Sequence, residues 1–287
     1  MAENQSKPLV VTNRAELAAA LADLRAKGRT LGLVPTMGAL HVGHTSLVEA
    51  AQKDGHATIV TIFVNPTQFA PHEDFGKYPR TLDADVAMLA EKKVDIVFAP
   101  IKDAMYPAGF STYIEPPAVA QPLEGHCRPG HYRGVCTVVL KLFNLIPADA
   151  AYFGHKDYQQ ALVIQHMARD LDLPIRVEVC PTVREADGLA LSSRNRYLSP
   201  SEREQALAIS RALRGAAAQV KAGERQASSL RALMRNELQL AGIERIDYVA
   251  VADPESLAEL ATVQKAAIAL IACHVGTTRL IDNLRLA

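Results

Sequence analysis

Two hydrophobic periods alternate along the first two-thirds of the chain. Short apolar, β-branched runs at 30–34, 57–64, 95–99, 151–153 and 175–179 have the length and composition of buried strands. Between them, at 14–27, 44–53, 82–92, 134–145 and 158–170, apolar residues recur at helical spacing, as Leu47, Val48, Ala50 and Ala51 do. Strands separated by helices pair in parallel, because each crossover helix returns the chain across the sheet. The pattern predicts an α/β fold, a parallel sheet with helices on both faces. From about residue 200 the texture changes to alanine-rich helices at 202–222 and 228–240, then strand patterns at 245–252, 266–274 and 278–282. A smaller C-terminal α+β domain is therefore expected. The polar stretch Arg184, Glu185, Ala186, Asp187, Gly188 is the expected joint, dividing the chain into domains 1–185 and 186–287.

A chain of 287 residues with 49% hydrophobic content is ample for two such cores. Lys plus Arg and Asp plus Glu each number 31 and the pI is about 7.1, so the basic footprint of a nucleic-acid binder is missing. A small-molecule substrate is expected instead. The first ten residues, MAENQSKPLV, lack an apolar leader run, and no later run reaches bilayer length; no membrane partner and a cytoplasmic location are expected. Cys127, Cys136, Cys180 and Cys273 contain no C-x-x-C pair and read as reduced structural thiols.

Against that background one segment stands out, VPTMGALHVGH at 34–44, where a strand hands over to a helix. Helix starts gather backbone N–H groups and the positive end of the dipole, so an anion is favoured there before side chains are counted. His41 and His44, three residues apart, project from one face, and Gly43 between them removes a Cβ that would hold a ligand away. Zinc binding is the competing reading. The helical protease motif, however, spaces its histidines four apart with a Glu after the first, and neither feature is present. No metal-ligating residue is expected.

Five further segments need reading. Gln68, in NPTQF at 65–69, offers both amide donors and an acceptor, suited to a hydroxyl or carboxylate. The irregular stretch at 71–79 reads as a lid or a plain surface loop. GHKDYQQ at 154–160 lies between a strand and a helix, with Lys156 as a mobile point charge and Asp157 as a cap or ribose acceptor. LSSRN at 191–195 supplies two hydroxyls and a guanidinium, enough to fold over a triphosphate tail. In the basic, glycine-rich stretch at 123–134, Arg128 is placed to meet a carboxylate, with His131 nearby.

In order along the chain, PTMGALHVGH, FVNPTQF, EGHCRPGHYRGV, YFGHKDYQQ and LSSRNRYLS resemble the pantoate–β-alanine ligase (pantothenate synthetase) family of HIGH-motif nucleotidyltransferases. That resemblance implies a Rossmann-like core, a smaller second domain that closes over the active site, a homodimer, and use of ATP with Mg²⁺ carried on it. By motif, it implies ATP contacts from Met37, Gly38, Ala39, Leu40, His41, Val42, Gly43 and His44. Gly154, His155, Lys156, Asp157, Val183, Leu191, Ser192, Ser193 and Arg194 complete that set. Gln68 and Gln160 would hold pantoate, with Gln68 also beside β-alanine. His44, His41, Lys156 and Arg194 would be the catalytic donors, and Arg128 and His131 further contacts. Leu191 departs from the methionine more usual there.

The implied reaction is adenylation of the pantoate carboxylate, then attack by the β-alanine amine to give pantothenate, AMP and pyrophosphate. A nucleotidyltransferase that leaves AMP on its product shares the histidine turn and is separated by product analysis. A tRNA synthetase fits neither the neutral charge nor the length. A non-catalytic nucleotide sensor would not need paired substrate glutamines.

Overall fold

The computed structural model describes residues 7–70 and 73–286. Pro71 and His72 of the expected lid segment lie outside the described residues, as do the first six. The chain forms two compact units: residues 1–155 with 160–181, and residues 156–159 with 182–287. The division thus falls at 181/182, ahead of the polar stretch 184–188, which belongs wholly to the second unit, and Lys156 to Gln159 group with that unit too.

The first unit runs β1 (Leu9–Val11), α1 (Arg14–Ala26), β2 (Leu31–Thr36), α2 (Val42–Lys53), β3 (Ala57–Ile62), α3 (Leu82–Glu91) and β4 (Ile96–Phe98). It continues through short α4 (Lys102–Met105) and α5 (Glu124–Cys127) to α6 (His131–Leu145), β5 (Ala150–Gly154), all but the first two residues of α7 (Tyr158–Asp170), and β6 (Arg176–Cys180). The helix–strand alternation is as the hydrophobic periods predict. The strand β1 escaped the sequence reading, because three residues whose first two are exposed carry too little pattern. Both α2 and α6 also begin earlier than their apolar spacing indicates, at Val42 and His131, since polar and glycine-rich first turns hide a helix start.

All six strands pair in parallel, in the order β1-β4-β3-β2-β5-β6. Alternate residues serve opposite faces. Leu31 and Leu33 of β2 pack with Leu17 and Leu21 of α1 and the apolar sides of α6 and α7, whereas Val34 packs with Leu47, Val48 and Ala51 of α2 and Leu89 of α3. Strand β2 also passes through Pro35, where the sequence reading ended it at 34. Thr30 and Thr36 give their carbonyls to β3, so Pro35 faces the β5 side, where pairing has ended at Leu33 and no donor is missed.

Building runs from β2 outward through β3 and β4 in one direction and through β5 and β6 in the other. The reversal between β2 and β5 leaves a crevice at their carboxyl ends, the general ligand position in open α/β sheets.

The second unit contains α8 (Pro200–Lys221), α9 (Ala227–Leu240) and the antiparallel sheet β7 (Ile246–Ala252), β8 (Ile268–Val275) and β9 (Thr278–Arg285), in that order. Ser199 and Glu202 close the start of α8 as a reciprocal capping box, with Pro200 at the first helical position. Its core is the small side chains of α8, such as Ala206, Ala212 and Ala216, against Val251, Ile271 and Cys273 of the sheet. Among the described residues no helix is long and apolar enough to cross a membrane.

One close approach in the first unit sets a testable limit. A Cβ on Gly134, in α6, would collide with the Thr67 carbonyl oxygen and lie 2.6 Å from the Gln68 nitrogen. Gly134→Ala should therefore lower stability by roughly 1–3 kcal/mol, read by urea unfolding, because backbone rather than a side-chain tip must move. An unchanged midpoint and slope would show that the turn at Gln68 shifts at no cost.

Candidate active site

Leaving β2, the chain turns through Gly38 and Ala39, both left-handed at φ of 83° and 51°. For glycine this is free; for alanine it costs on the order of 1 kcal/mol and needs support. Support comes from Asp85 on α3, 3% exposed, whose two oxygens accept from Ala39 N at 3.0 Å and Leu40 N at 2.8 Å. The Gly38 amide donates to Thr36 Oγ1 at 3.2 Å, and that hydroxyl donates to the Thr61 carbonyl at 2.6 Å.

His41 then caps α2. Its Nδ1 accepts from Gly43 N at 3.1 Å, and His44 Nδ1 accepts from His41 N at 3.3 Å. This is a capping box built from two imidazoles, whose ring centroids are 4.1 Å apart. With Nδ1 accepting, each neutral ring carries its proton on Nε2. The sequence reading placed free backbone N–H groups here for an anion. The structure narrows this: the amides of Gly38, Ala39, Leu40, His41 and Gly43 already have acceptors within the fold.

Gln68 sits in the short 3-10 turn after β3, 9% exposed. Its Nε2 donates to Met37 Sδ at 3.1 Å, and its Oε1 accepts from Asn65 Nδ2 at 3.0 Å. The structure thus joins the expected acid-binding glutamine to the histidine turn. Asn65 is the hub, donating also to the Gly134 carbonyl at 3.2 Å and accepting from the Tyr106 hydroxyl at 2.8 Å. Neither Asn65 nor Asp85 was singled out from sequence. A usable signal existed for Asp85, a carboxylate four residues before buried Leu89 on the packed side of α3.

His131 Nδ1 donates to the Gln68 carbonyl at 2.9 Å, and its Nε2 accepts from Arg128 Nη1 at 3.0 Å. From sequence Arg128 is placed to meet a carboxylate, and the carboxylate it meets within the fold is Glu73, which its Nε and Nη2 clasp at 2.6 and 2.9 Å. Burial raises the Glu73 carboxyl, but the bonds and charge of Arg128 outweigh it and leave the group below its usual range. Burial, with the Arg128 charge beside it, pushes the His131 ring down to about 4.

In the first unit, Gly154 ends β5 and His155 follows, so this turn and the histidine turn leave adjacent strands beside the crevice. Gln160 is half-buried at the third position of α7. In the second unit, Asn283 Nδ2 on β9 donates to the Lys156 carbonyl at 2.9 Å, and Lys156 Nζ lies 3.6 Å from Asp157. The neighbouring Asp282 grips Arg184 through both oxygens, at 2.7 and 3.0 Å. Leu191 N donates to the Val183 carbonyl at 3.0 Å, and the Ser192 hydroxyl caps a 3-10 turn by accepting from Arg194 N at 3.3 Å. Two adjacent residues of β9 therefore anchor the Lys156 segment and the strand leading to Ser192, Ser193 and Arg194.

Comparison with known proteins identifies the family. The pattern defining the pantoate-beta-alanine ligase family matches residues 9–285. The chain belongs to that family. It is 54% identical over 274 residues to the pantothenate synthetase of Roseiflexus sp. (strain RS-1), covering 96% of this chain and 98% of that one. The Moorella thermoacetica enzyme is 52% identical over 92% of this chain and 93% of its own length. Among solved structures, the pantothenate synthetase of Thermus thermophilus superimposes with a TM-score of 0.92 at 43% identity, over 97% of this chain and 99% of that one. The Francisella tularensis ligase, solved with beta-gamma ATP and β-alanine, gives 0.81 at 35% identity over 96% and 97%. The two-unit α/β architecture is thus the family's own.

Within this family member, the His131 contacts have a pH signature. Between its unfolded pKa of 6.5 and its folded value of about 4, the unfolded chain binds a proton that the folded ring refuses. Stability contributed by this ring is present above 6.5 and lost as pH falls towards 4, by up to on the order of 3 kcal/mol. Urea unfolding at pH 7 and pH 4.5 should show a larger acid loss for the parent than for His131→Gln. Equal losses would sink the assignment.

Proposed function

We propose that this chain condenses pantoate with β-alanine at the expense of ATP, passing through pantoyl adenylate. The observation that carries the reading is the pair of imidazoles capping α2 with their Nε2–H edges as donors, at the switch-point crevice, with Gln68 bonded to the same turn.

A carboxylate is a poor electrophile, so its oxygen must first become a good leaving group. The pantoate carboxylate attacks the α-phosphorus in line and pyrophosphate departs. The β-alanine amine then attacks the acyl carbon, and AMP leaves with the bonding pair. The first transition state spreads charge over phosphate oxygens, and fixed donors lower its energy by electrostatics and positioning. His41 and His44 offer Nε2–H, with His44 the proton donor; Lys156, Ser192, Ser193 and Arg194 are the further donors. Met37 to Leu40, Val42, Gly43, Gly154, His155, Asp157, Val183 and Leu191 shape the nucleotide site. Gln68 and Gln160 bind pantoate, and Gln68 borders the β-alanine position.

The Mg²⁺ of this reaction arrives on the triphosphate. Among the described residues no group of three or more His, Cys, Asp or Glu is placed to hold a metal, and a donor set of imidazole, ammonium, hydroxyl and guanidinium fits a triphosphate whose ion keeps water. The ion supplies charge neutralisation on the phosphate oxygens. A homodimer and a cytoplasmic location belong to the same proposal, supported by the resemblance.

Labelled pyrophosphate should exchange into ATP with pantoate alone, since adenylation needs no amine. Exchange that requires β-alanine would overturn the free-standing adenylate step. His44→Ala and Lys156→Ala should each slow single-turnover adenylation on the order of a hundredfold, with a much smaller change in ATP affinity by calorimetry. A folded variant that adenylates at the parental rate removes that residue from the catalytic set.

A further inference from the structure

The carboxylate of Asp85 is buried behind the histidine turn, and nothing in the proposed chemistry uses it. One oxygen accepts from Leu40 N at 2.8 Å; the other accepts from Ala39 N at 3.0 Å and from the Thr81 hydroxyl at 3.2 Å. It lies in the first turn of α3, whose dipole favours a negative charge there. A Cβ at Gly38 would come within 3.1 Å of it.

These contacts do two things that an apolar residue could not. They orient two successive peptide planes at a point where Ala39 is left-handed, a conformation that persists only when its surroundings over-determine it. They also occupy the amides that a glycine-rich turn would otherwise present to phosphate, so recognition passes to the imidazoles that follow. Leu40 is bonded to Asp85, and His41, the next residue, caps α2 and receives His44 in return. A continuous chain of contacts thus runs from Asp85 to both imidazoles.

We propose that Asp85 is a positioning residue for adenylation: by clamping the Ala39 and Leu40 amides it aims His41 and His44 at the phosphates. This rests on the reaction proposed above. In Asp85→Asn, one oxygen still accepts, but the new NH₂ meets a backbone N–H and one clamp bond is lost. A misplacement of about 1 Å in a catalytic donor can cost on the order of a hundredfold in rate. Amide formation, in which β-alanine attacks a preformed acyl adenylate, does not need donors on the departing pyrophosphate.

The test compares half-reactions in the full-length protein. Single-turnover adenylation of pantoate by Asp85→Asn should fall on the order of tenfold to a hundredfold, whereas pantothenate formation from supplied pantoyl adenylate and β-alanine should stay within about twofold. Thr81→Val, which removes a single bond to the carboxylate and leaves both amide bonds, should show the same split at several-fold size; it reports even if Asp85→Asn does not fold. Equal loss in both half-reactions, tracking the folded fraction in thermal melts, would mean that the carboxylate only stabilises the fold and would overturn the proposal. So would adenylation at the parental rate in both variants. Failure of the unsubstituted protein to exchange pyrophosphate would instead overturn the reaction assignment, and the positioning role with it.

Discussion

A helix that starts at the end of a buried strand has amides with no intrahelical acceptor, and in this protein two imidazoles take that place at the start of α2. The Nδ1 atoms of His41 and His44 are engaged by backbone N–H groups, so the tautomers are set by folding and not by the ligand. Everything around the first unit's crevice is arranged about that cap. Strand β2 holds it from before, through the Thr36 hydroxyl; α3 holds it from behind, through Asp85; and Gln68 reaches it through Met37. The same residues that complete the helix are the ones proposed to carry the donors for chemistry, which on that reading couples stability to reactivity at this point.

The second unit solves a comparable problem with ion pairs. A loop of Ser192, Ser193 and Arg194 has little apolar side chain to anchor it. Arg184 is bonded to Asp282 through both oxygens, and Glu185 accepts from Asn195 at 3.2 Å and from Arg203 at 3.1 and 2.8 Å. Asp282 is buried and its partner is bidentate, so this pair is shielded from solvent in a way that a surface pair is not. Asn283, the next residue, fixes the Lys156 backbone. Strand β9 is thus a rail on which two separate pieces of the sequence are registered.

Much of the fold was legible in the order of residues. Period-2 and period-3.6 apolar patterns are local, and they located the strands and helices of the parallel sheet to within a few residues; they failed where polarity hides an element, as at β1 and in the first turns of α2 and α6. The proposed site reads from sequence as motifs, because turns between strands and helices hold their chemistry in contiguous residues such as those at 37–44, 154–160 and 191–195. The roles of Asp85, Asn65 and Glu73 do not, since each acts on a partner far away in the chain: Leu40 for Asp85, Gly134 for Asn65, Arg128 for Glu73.

The sequence alone therefore determined the α/β class, the two-part organisation and the residue types available for an acid-activating reaction, all of which depend on near neighbours along the chain. Tertiary structure decided which groups are already engaged. It bonded the Ala39 and Leu40 amides of the histidine turn to Asp85, closed Arg128 on Glu73, kept His131 neutral and put the histidine cap beside the reversal between β2 and β5. The reason is physical: a hydrogen-bonding group offers its donors or acceptors only once, and whether a partner inside the fold has already taken them depends on residues that only folding brings together.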